Sequence, residues 1–340
     1  MDVEEKTIEK FECFKNIFQE NWTYKLAIES GDLEAIKYLL CNGYTFNKLT
    51  SLCAIQNNNS EILKLLVSNG CPIDPWCSVY AVVNNDFEIL IWLLDNGCPL
   101  HSSCTSTAVK DGNYEMLEWL LDKGCLLNKW CSIYAVIKKD LEKLIWLHDK
   151  GCSLPVTCSI AAAENGDLRI LQWLHDKGCL FDKLIYSYAV KSGNYETLKW
   201  LKSHNYHIDK HAGVCAIKKE NLEILQWLHF NGCPLSEIMF LWAIEIGNIE
   251  ILDWLHSKNC PFKRHIKYGN ISENSKTLNW LRSNGYLFDE QSNVIASNNG
   301  KLEMLEWLHS NGYPLDEWAS KYAKESKNSE IISWLHDHGY

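Results

Sequence analysis

The sequence predicts an all-α solenoid of short helix–turn–helix units, and three observations carry the prediction. The first is self-similarity: EILIWLLDNGC, MLEWLLDKGC, LRILQWLHDKGC and LEILQWLHFNGC are variants of one phrase. Its anchor leucine falls at Leu39, Leu66, Leu93, Leu120, Leu147, Leu174, Leu201, Leu228, Leu255, Leu281, Leu308 and Leu335, a step of 27 residues except for 26 between Leu255 and Leu281. The second is a terminator. Four residues after each anchor stands only Gly or Asn, from Gly43 to Gly339 with Asn205 and Asn259 among them. A left-handed residue closing a helix requires this. The third is a starter. Seven residues before the anchors stand Asp32, Asn59, Asp86, Asn113, Asp140, Asp167, Asn194, Asn221, Asn248, Asn274, Lys301 and Asn328. All but Lys301 are good N-caps, and a glutamate usually follows two residues later, where the helix dipole favours it.

Taken in chain order, each element has its own reason. Residues 1–21 hold IEKFECFKNIF, which puts Ile8, Phe11, Phe14, Ile17 and Phe18 on one helical face, so a capping helix is expected there. From residue 22 to 340 runs an array of about eleven to twelve units. Within a unit, the segment around Ala27, Ala54, Ala81, Ala108, Ala135, Ala162 and their successors reads as a first helix. That column accepts only Ala or Gly (Gly269), so another backbone passes close to it. Gly31, Gly112, Gly166, Gly193, Gly247 and Gly300 mark a sharp turn, and the capped phrase ending in Gly is the second helix. One such hairpin cannot bury its apolar face alone, so the units stack. A slower beat overlies this one: Tyr80, Tyr134, Tyr188 and Trp242 alternate with Thr107, Ala161 and Cys215 just before the alanine column. Large against small packing between neighbours would sustain it. Tyr268–Ser275, beside the short step, is expected to be disordered.

The helix pair resembles the ankyrin repeat. SIAAAENGDLRILQWLHDKGCLFD (159–182) lies on that family's order of a small Ala-Ala helix, Gly, a Leu-rich helix and a Gly-small-Asp ending. The usual Thr-Pro-Leu-His opening is absent and the unit is about six residues shorter than the ankyrin repeat. The resemblance therefore implies an ankyrin-like curved superhelix with shortened or absent β-hairpin fingers. Units of this length, rich in WLH and GCP, look most like ankyrin proteins of amoeba-infecting giant viruses and some protists.

Composition narrows the function. Hydrophobic residues make up 46% and charged residues 22%, the balance of a core-forming chain. The net charge of −10 argues against a broad nucleic-acid or anionic-membrane surface. No apolar run is long enough for a transmembrane helix, and MDVEEKTIEK is acidic with no signal-peptide core. Fifteen cysteines, an odd number without an export signal, fit reduced thiols in a cytoplasm, that of a host if the chain is viral.

His148, Asp149 and Cys152 stand close enough to suggest a reactive site. Elsewhere in the histidine column stand Leu40, Val67, Leu94, Leu121 and Lys202, and Tyr44, Tyr206, Tyr286, Tyr313 and Tyr340 take the place of the cysteine. Chemistry that needed either residue would not allow this. The histidines are expected to help satisfy the last carbonyls of their helices. Cys152 follows a helix C-terminus, which disfavours a thiolate. Cys77, Cys104, Cys131 and Cys158 add a second thiol per unit, but units about 8–10 Å apart cannot share a zinc ion between equivalent cysteines. The cysteines read as small buried residues, and the tryptophan column from Trp92 to Trp334 reads as core. No cofactor, metal, nucleic-acid partner, membrane or small-molecule substrate is indicated, and no enzyme.

The variable entrance to each first helix is left over. On an ankyrin-like solenoid it faces the concave groove. Trp76, His101, Lys129, Trp130, Lys183, Lys210, His211, Arg264, His265 and Trp318 are the candidate partner-binding residues, with the tryptophans as anchors. The expected function is a protein–protein interaction scaffold for a protein partner, a host protein if the chain is viral. A metal- or redox-responsive Cys/His protein and a virion structural component are the alternatives.

Overall fold

The structure is a computed structural model, which describes residues 23–262, 265–266, 274–288, 291–315 and 317–340, with the backbone alone at 23, 265, 266, 287, 291 and 317. It forms two compact units, Met1–Cys158 and Ser159–Tyr340. In the first, the first helices Thr23–Glu29, Lys48–Gln56, Trp76–Val83, Ser103–Asp111 and Lys129–Ile137 alternate with the second helices Leu33–Cys41, Ser60–Ser68, Phe87–Asp95, Tyr114–Asp122 and Leu141–Asp149. In the other, Ile185–Ser192, Lys210–Lys218, Glu237–Ile246, Gln291–Asn298 and Glu317–Glu325 alternate with second helices, among them Leu168–Asp176, Tyr195–Ser203, Leu222–Phe230 and Ile249–Ser257. Helix Val156–Asn165 holds the boundary. The fold is a helical-repeat solenoid.

The caps explain why the second helices start where they do. Asp32, Asp86, Asn113, Asp140, Asp167, Asn221, Asn248 and Asn328 each accept a hydrogen bond from the backbone N–H three residues on. Such a bond contributes about 1 kcal/mol. The asparagines also reach backwards. The amide of Asn194 donates to Gly166 O at 2.8 Å while its oxygen caps its own helix. Asn59 gives up capping altogether and donates to Ile28 O at 2.6 Å. Lys301 caps nothing with its side chain.

Helix ends are equally regular. At the end of Leu141–Asp149, Gly151 N–H donates to His148 O at 2.8 Å and Cys152 N–H to Leu147 O at 2.9 Å, a left-handed closure with Gly151 at φ +87°. Asn205 and Asn259 adopt the same sign of φ. The turn between paired helices is also left-handed, at glycines such as Gly112 and Gly166 but also at Lys139, Glu220 and Lys327.

The core of each hairpin is the anchor leucine with the residues three and four positions before it, such as Ile89, Leu90 and Leu93 or Ile170, Leu171 and Leu174. The alanine column is buried, and neighbouring first helices pack on one another across it, Trp76–Val83 on Ser103–Asp111 and Ile185–Ser192 on Lys210–Lys218. The tryptophan column is a correction: Trp92, Trp119, Trp146, Trp173, Trp200, Trp227, Trp254, Trp280 and Trp334 are half-buried, and only Trp307 is buried. The leucines fill the interior, and the adjacent rings lie over the joint between units.

Strand structure among the described residues is one parallel pairing of His265–Ile266 with Leu287–Phe288. It joins the segments that follow the second helices of consecutive units, offset by four residues from the repeat register, and is no hairpin finger. The expected helix at 1–21 lies outside the described residues. So does most of the stretch expected to be disordered, 268–273; at its end, however, Asn274 caps a helix that begins at Ser275.

Candidate functional site

Several first helices enter through a cap that fixes the residue two positions later. Leu49, Trp76, Trp130, Leu184 and His211 donate their backbone N–H to Asn47, Asp74, Asn128, Asp182 and Asp209 at 2.8–2.9 Å. In Ser103 the same bond goes to His101 Nδ1 at 3.1 Å. The side chains at this position occupy one column of the repeat, and five of them are large, apolar and exposed. Leu49 is 63% exposed, Trp76 46%, Trp130 49%, Ile238 51% and Trp318 54%.

The candidate residues fall on this edge with different duties. Trp76 stacks on His101, with ring centroids 4.5 Å apart. His101 is half-buried and caps its helix, so much of its ring serves the fold. Lys129, Lys183, Lys210 and His211 are exposed. Trp318 carries Lys321 Nζ at 4.7 Å over its ring. Trp76 and His101 touch, Lys129 adjoins Trp130 and Lys210 adjoins His211, while Lys183 and Trp318 stand on other repeats. Arg264 and the side chain of His265 lie outside the described residues.

The thiols do something different. Cys71, Cys98, Cys125, Cys152, Cys233 and Cys260 each place Sγ 3.4–3.8 Å from the carbonyl oxygen 24 residues earlier, that of Asn47, Asp74, His101, Asn128, Asp209 and Ser236. Cys77, Cys104, Cys131 and Cys158 face the hydroxyls of Ser51, Ser78, Thr105 and Ser132 at 3.4–3.8 Å. Burial lifts Cys77 and Cys104 to about 11 and Cys98 to about 12. Cys131 and Cys152 form a pair: the S–H that Cys131 donates to Cys152, together with burial, raises Cys131, and the same bond lowers Cys152, contrary to the expectation from its place after a helix C-terminus. A metal ligand or nucleophile must be a thiolate, and burial opposes one at Cys77, Cys98 and Cys104. Among the described residues no group of three or more His, Cys, Asp and Glu is arranged to hold a metal ion.

The hydroxyl column escaped the sequence reading. Ser51, Thr105, Ser132 and Ser159 donate to Pro72, Leu126, Ser153 and Leu180 carbonyls at 2.7–3.0 Å. Its signal is the Ser or Thr recurring next to each second cysteine. The histidine column also differs from expectation. Its rings meet the tryptophan of the next unit edge-on, His229 on Trp254 and His309 on Trp334 at 5.5 Å, His175 on Trp200 at 5.4 Å. His175 Nδ1 lies 2.8 Å from Tyr206 Oη.

Residues 24–131 match the family of ankyrin repeats, three copies. That stretch is similar to ankyrin repeats, and the later units keep its columns of cap, anchor and terminator. No curated protein sequence matches it. Among solved structures it is similar to the pentatricopeptide repeat protein PPR10 in complex with an 18-nt psaJ RNA element, at 11% identity and a TM-score of 0.53, over 93% of this chain and 58% of that one. The same complex of a variant with cysteine-to-serine changes gives the same figures. PPR10 from maize aligns at 12% identity and a TM-score of 0.49, over 98% of this chain and 61% of that one. This chain thus spans less than two thirds of each of these structures, and at such identity the likeness concerns the helical-repeat fold. Among the described residues no helix is long and apolar enough to cross a membrane.

Proposed function

We propose that the chain is a non-enzymatic protein–protein interaction scaffold that grips its partner along the edge where the first helices begin. The observation that carries this is the exposed apolar column Leu49, Trp76 and Trp130 of the first unit, each held by the cap two residues before it, with the exposed Ile238 and Trp318 at the same repeat position in the second. Half-exposed tryptophans on a rigid backbone are strong contributors to protein interfaces. Ankyrin repeats over 24–131 support the same class of function. The free thiols of the described residues are in keeping with a reducing, cytoplasmic setting. The test is cross-linking capture with the full chain against the variant Trp76→Ala, Trp130→Ala, Trp318→Ala, both checked for equal helicity and Tm. Loss of the partners captured by the parent chain is the expected outcome. An unchanged set of partners would remove this edge from the binding surface.

A further inference from the structure

We propose that the trough between Trp76 and Trp130 seats one amphipathic α-helix of an acidic partner protein. This rests on the interaction reading above and narrows it to one place and one chemistry. The Trp76–Val83 and Lys129–Ile137 helices both pack on the Ser103–Asp111 helix between them. At i, i+4 and i+7 the outer two present Trp76, Tyr80 and Val83, and Trp130, Tyr134 and Ile137. Val83 and Ile137 are each 51% exposed, comparable with their tryptophans. The middle helix presents Ser103, Thr107 and Lys110 at the same positions, a low floor between two apolar ridges. Packed helices lie about 8–10 Å apart, so the ridges stand about 16–20 Å apart. An α-helix with its side chains is about 10–12 Å across, which fits the space left between them.

Charge selects the occupant. From residue 48 to 139 the first helices and the turns after them carry Lys48, Lys110, Lys129, Lys138 and Lys139 against Asp111, apart from the capping Asp74 and Asp86. The second helices of the same stretch carry Glu61, Glu88, Asp95, Glu115, Glu118 and Asp122 against Lys64. In a chain of net charge −10, the trough side is locally basic. Lys138 Nζ lies 3.2 Å from where a Cβ on Gly112 would be, at the floor helix's end, and Lys129 adjoins Trp130. A partner helix with Leu- or Phe-like side chains toward the ridges and carboxylates on its flanks meets all of these groups. Single-stranded RNA would use the rings and the lysines. It would gain little from the aliphatic Val83 and Ile137, which are half of the four exposed ridge residues.

The test is selection of full-length protein against a displayed library of amphipathic helices of about five turns with randomised flanks. Binding is then measured by fluorescence anisotropy, with an oligouridine strand as a second probe. Selected helices are expected to have Asp and Glu on their flanks. They should lose about tenfold or more in affinity on Trp76→Ala or Trp130→Ala. Ser103→Trp, which repeats the residue found at the equivalent position on either side and so fills the trough without burying anything new, should have the same effect. Trp318→Ala should leave affinity unchanged. Selection of neutral or basic helices, no selected binder, indifference to Ser103→Trp, or oligouridine binding abolished by Ser103→Trp would each overturn the proposal. If cross-linked partners are lost from the triple tryptophan variant yet Ser103→Trp changes nothing, the trough fails while the scaffold reading stands. If neither measurement responds, both fail.

Discussion

Neighbouring first helices of Met1–Cys158 meet through thiols and hydroxyls, whereas those of Ser159–Tyr340 meet largely through rings and aliphatic groups. The positions held by Cys77-Ser78, Cys104-Thr105 and Cys131-Ser132 in one are Ile185-Tyr186, Ala212-Gly213 and Met239-Phe240 in the other. In the first unit Ser51, Thr105 and Ser132 donate to carbonyls of the next hairpin's entrance, Ser78 donates to Pro75 O of its own, and Ser51 and Ser78 accept the backbone N–H of Asp74 and His101 at 3.3 and 3.1 Å. In the second, Phe240 stacks on Phe262 with centroids 4.6 Å apart, and Gly213 leaves the space that Met239 Cε occupies, 2.2 Å from where a Cβ would stand. One backbone thus accommodates two chemistries, provided that the caps, the anchor leucine and the alanine column remain. Close packing supports one arrangement and satisfied polar groups support the other.

Mutations can break this contrast, starting with the largest effect. Phe240→Ala should cost about 3–5 kcal/mol in chemical denaturation, since it removes a fully buried ring. Ser132→Ala should cost less, about 1–2 kcal/mol, by removing the hydrogen bonds that Ser132 donates to the Ser153 carbonyl and accepts from Cys158. If the second change costs more than the first, the hydroxyl seam carries more stability than the aromatic one. Lys139→Gly and Glu220→Gly should each raise stability by about 1 kcal/mol, because both residues sit at positive φ where other units use glycine. Tyr186→Phe should be neutral or slightly stabilising, as its hydroxyl is buried without a partner.

Alkali sharpens the same comparison. The ordinary thiol ionises near 9.0, while folded Cys77, Cys98 and Cys104 are held at about 11 to 12. Above pH 9 the unfolded chain releases protons that the folded chain keeps. The stabilisation present below pH 9 is therefore lost as pH rises through 11 to 12. A pH series of denaturation midpoints should fall over that window, and less steeply in a variant with Cys77, Cys104 and Cys131 replaced by alanine. Thiol labelling at neutral pH should reach the exposed Cys41 first and the buried ladder only on unfolding.

How much of this was legible depends on whether a column is read against itself or against its neighbours. The glycine and asparagine terminators announce a left-handed backbone in a single residue type, and the structure has Gly43, Gly70 and Asn205 in that conformation. Asp86 and Asp167 announce caps for the same reason. Trp119 and Trp173 misled because hydrophobicity ranks them above leucine, while the interior between two small helices is too narrow for an indole. Lys139 hid its backbone geometry because no side-chain preference signals it. The Ser132 column hid because Ser51, Thr105, Ser132 and Ser159 each bond to a carbonyl 21 residues away, a relation visible only once the hairpins are stacked. For the binding edge, sequence singled out Trp76 and Trp130 but not the ridge they share with Val83 and Ile137, since exposure belongs to the packed array.

The backward-reaching asparagines give the chain a direction of assembly. Asn59 and Asn194 find acceptors at Ile28 and Gly166, carbonyls that leave the ribosome before they do. The hairpins that hold these two residues are thus tied to their predecessors by a bond that their own residues cannot supply, and either of them, freed of its predecessor, would leave an amide pointing at water.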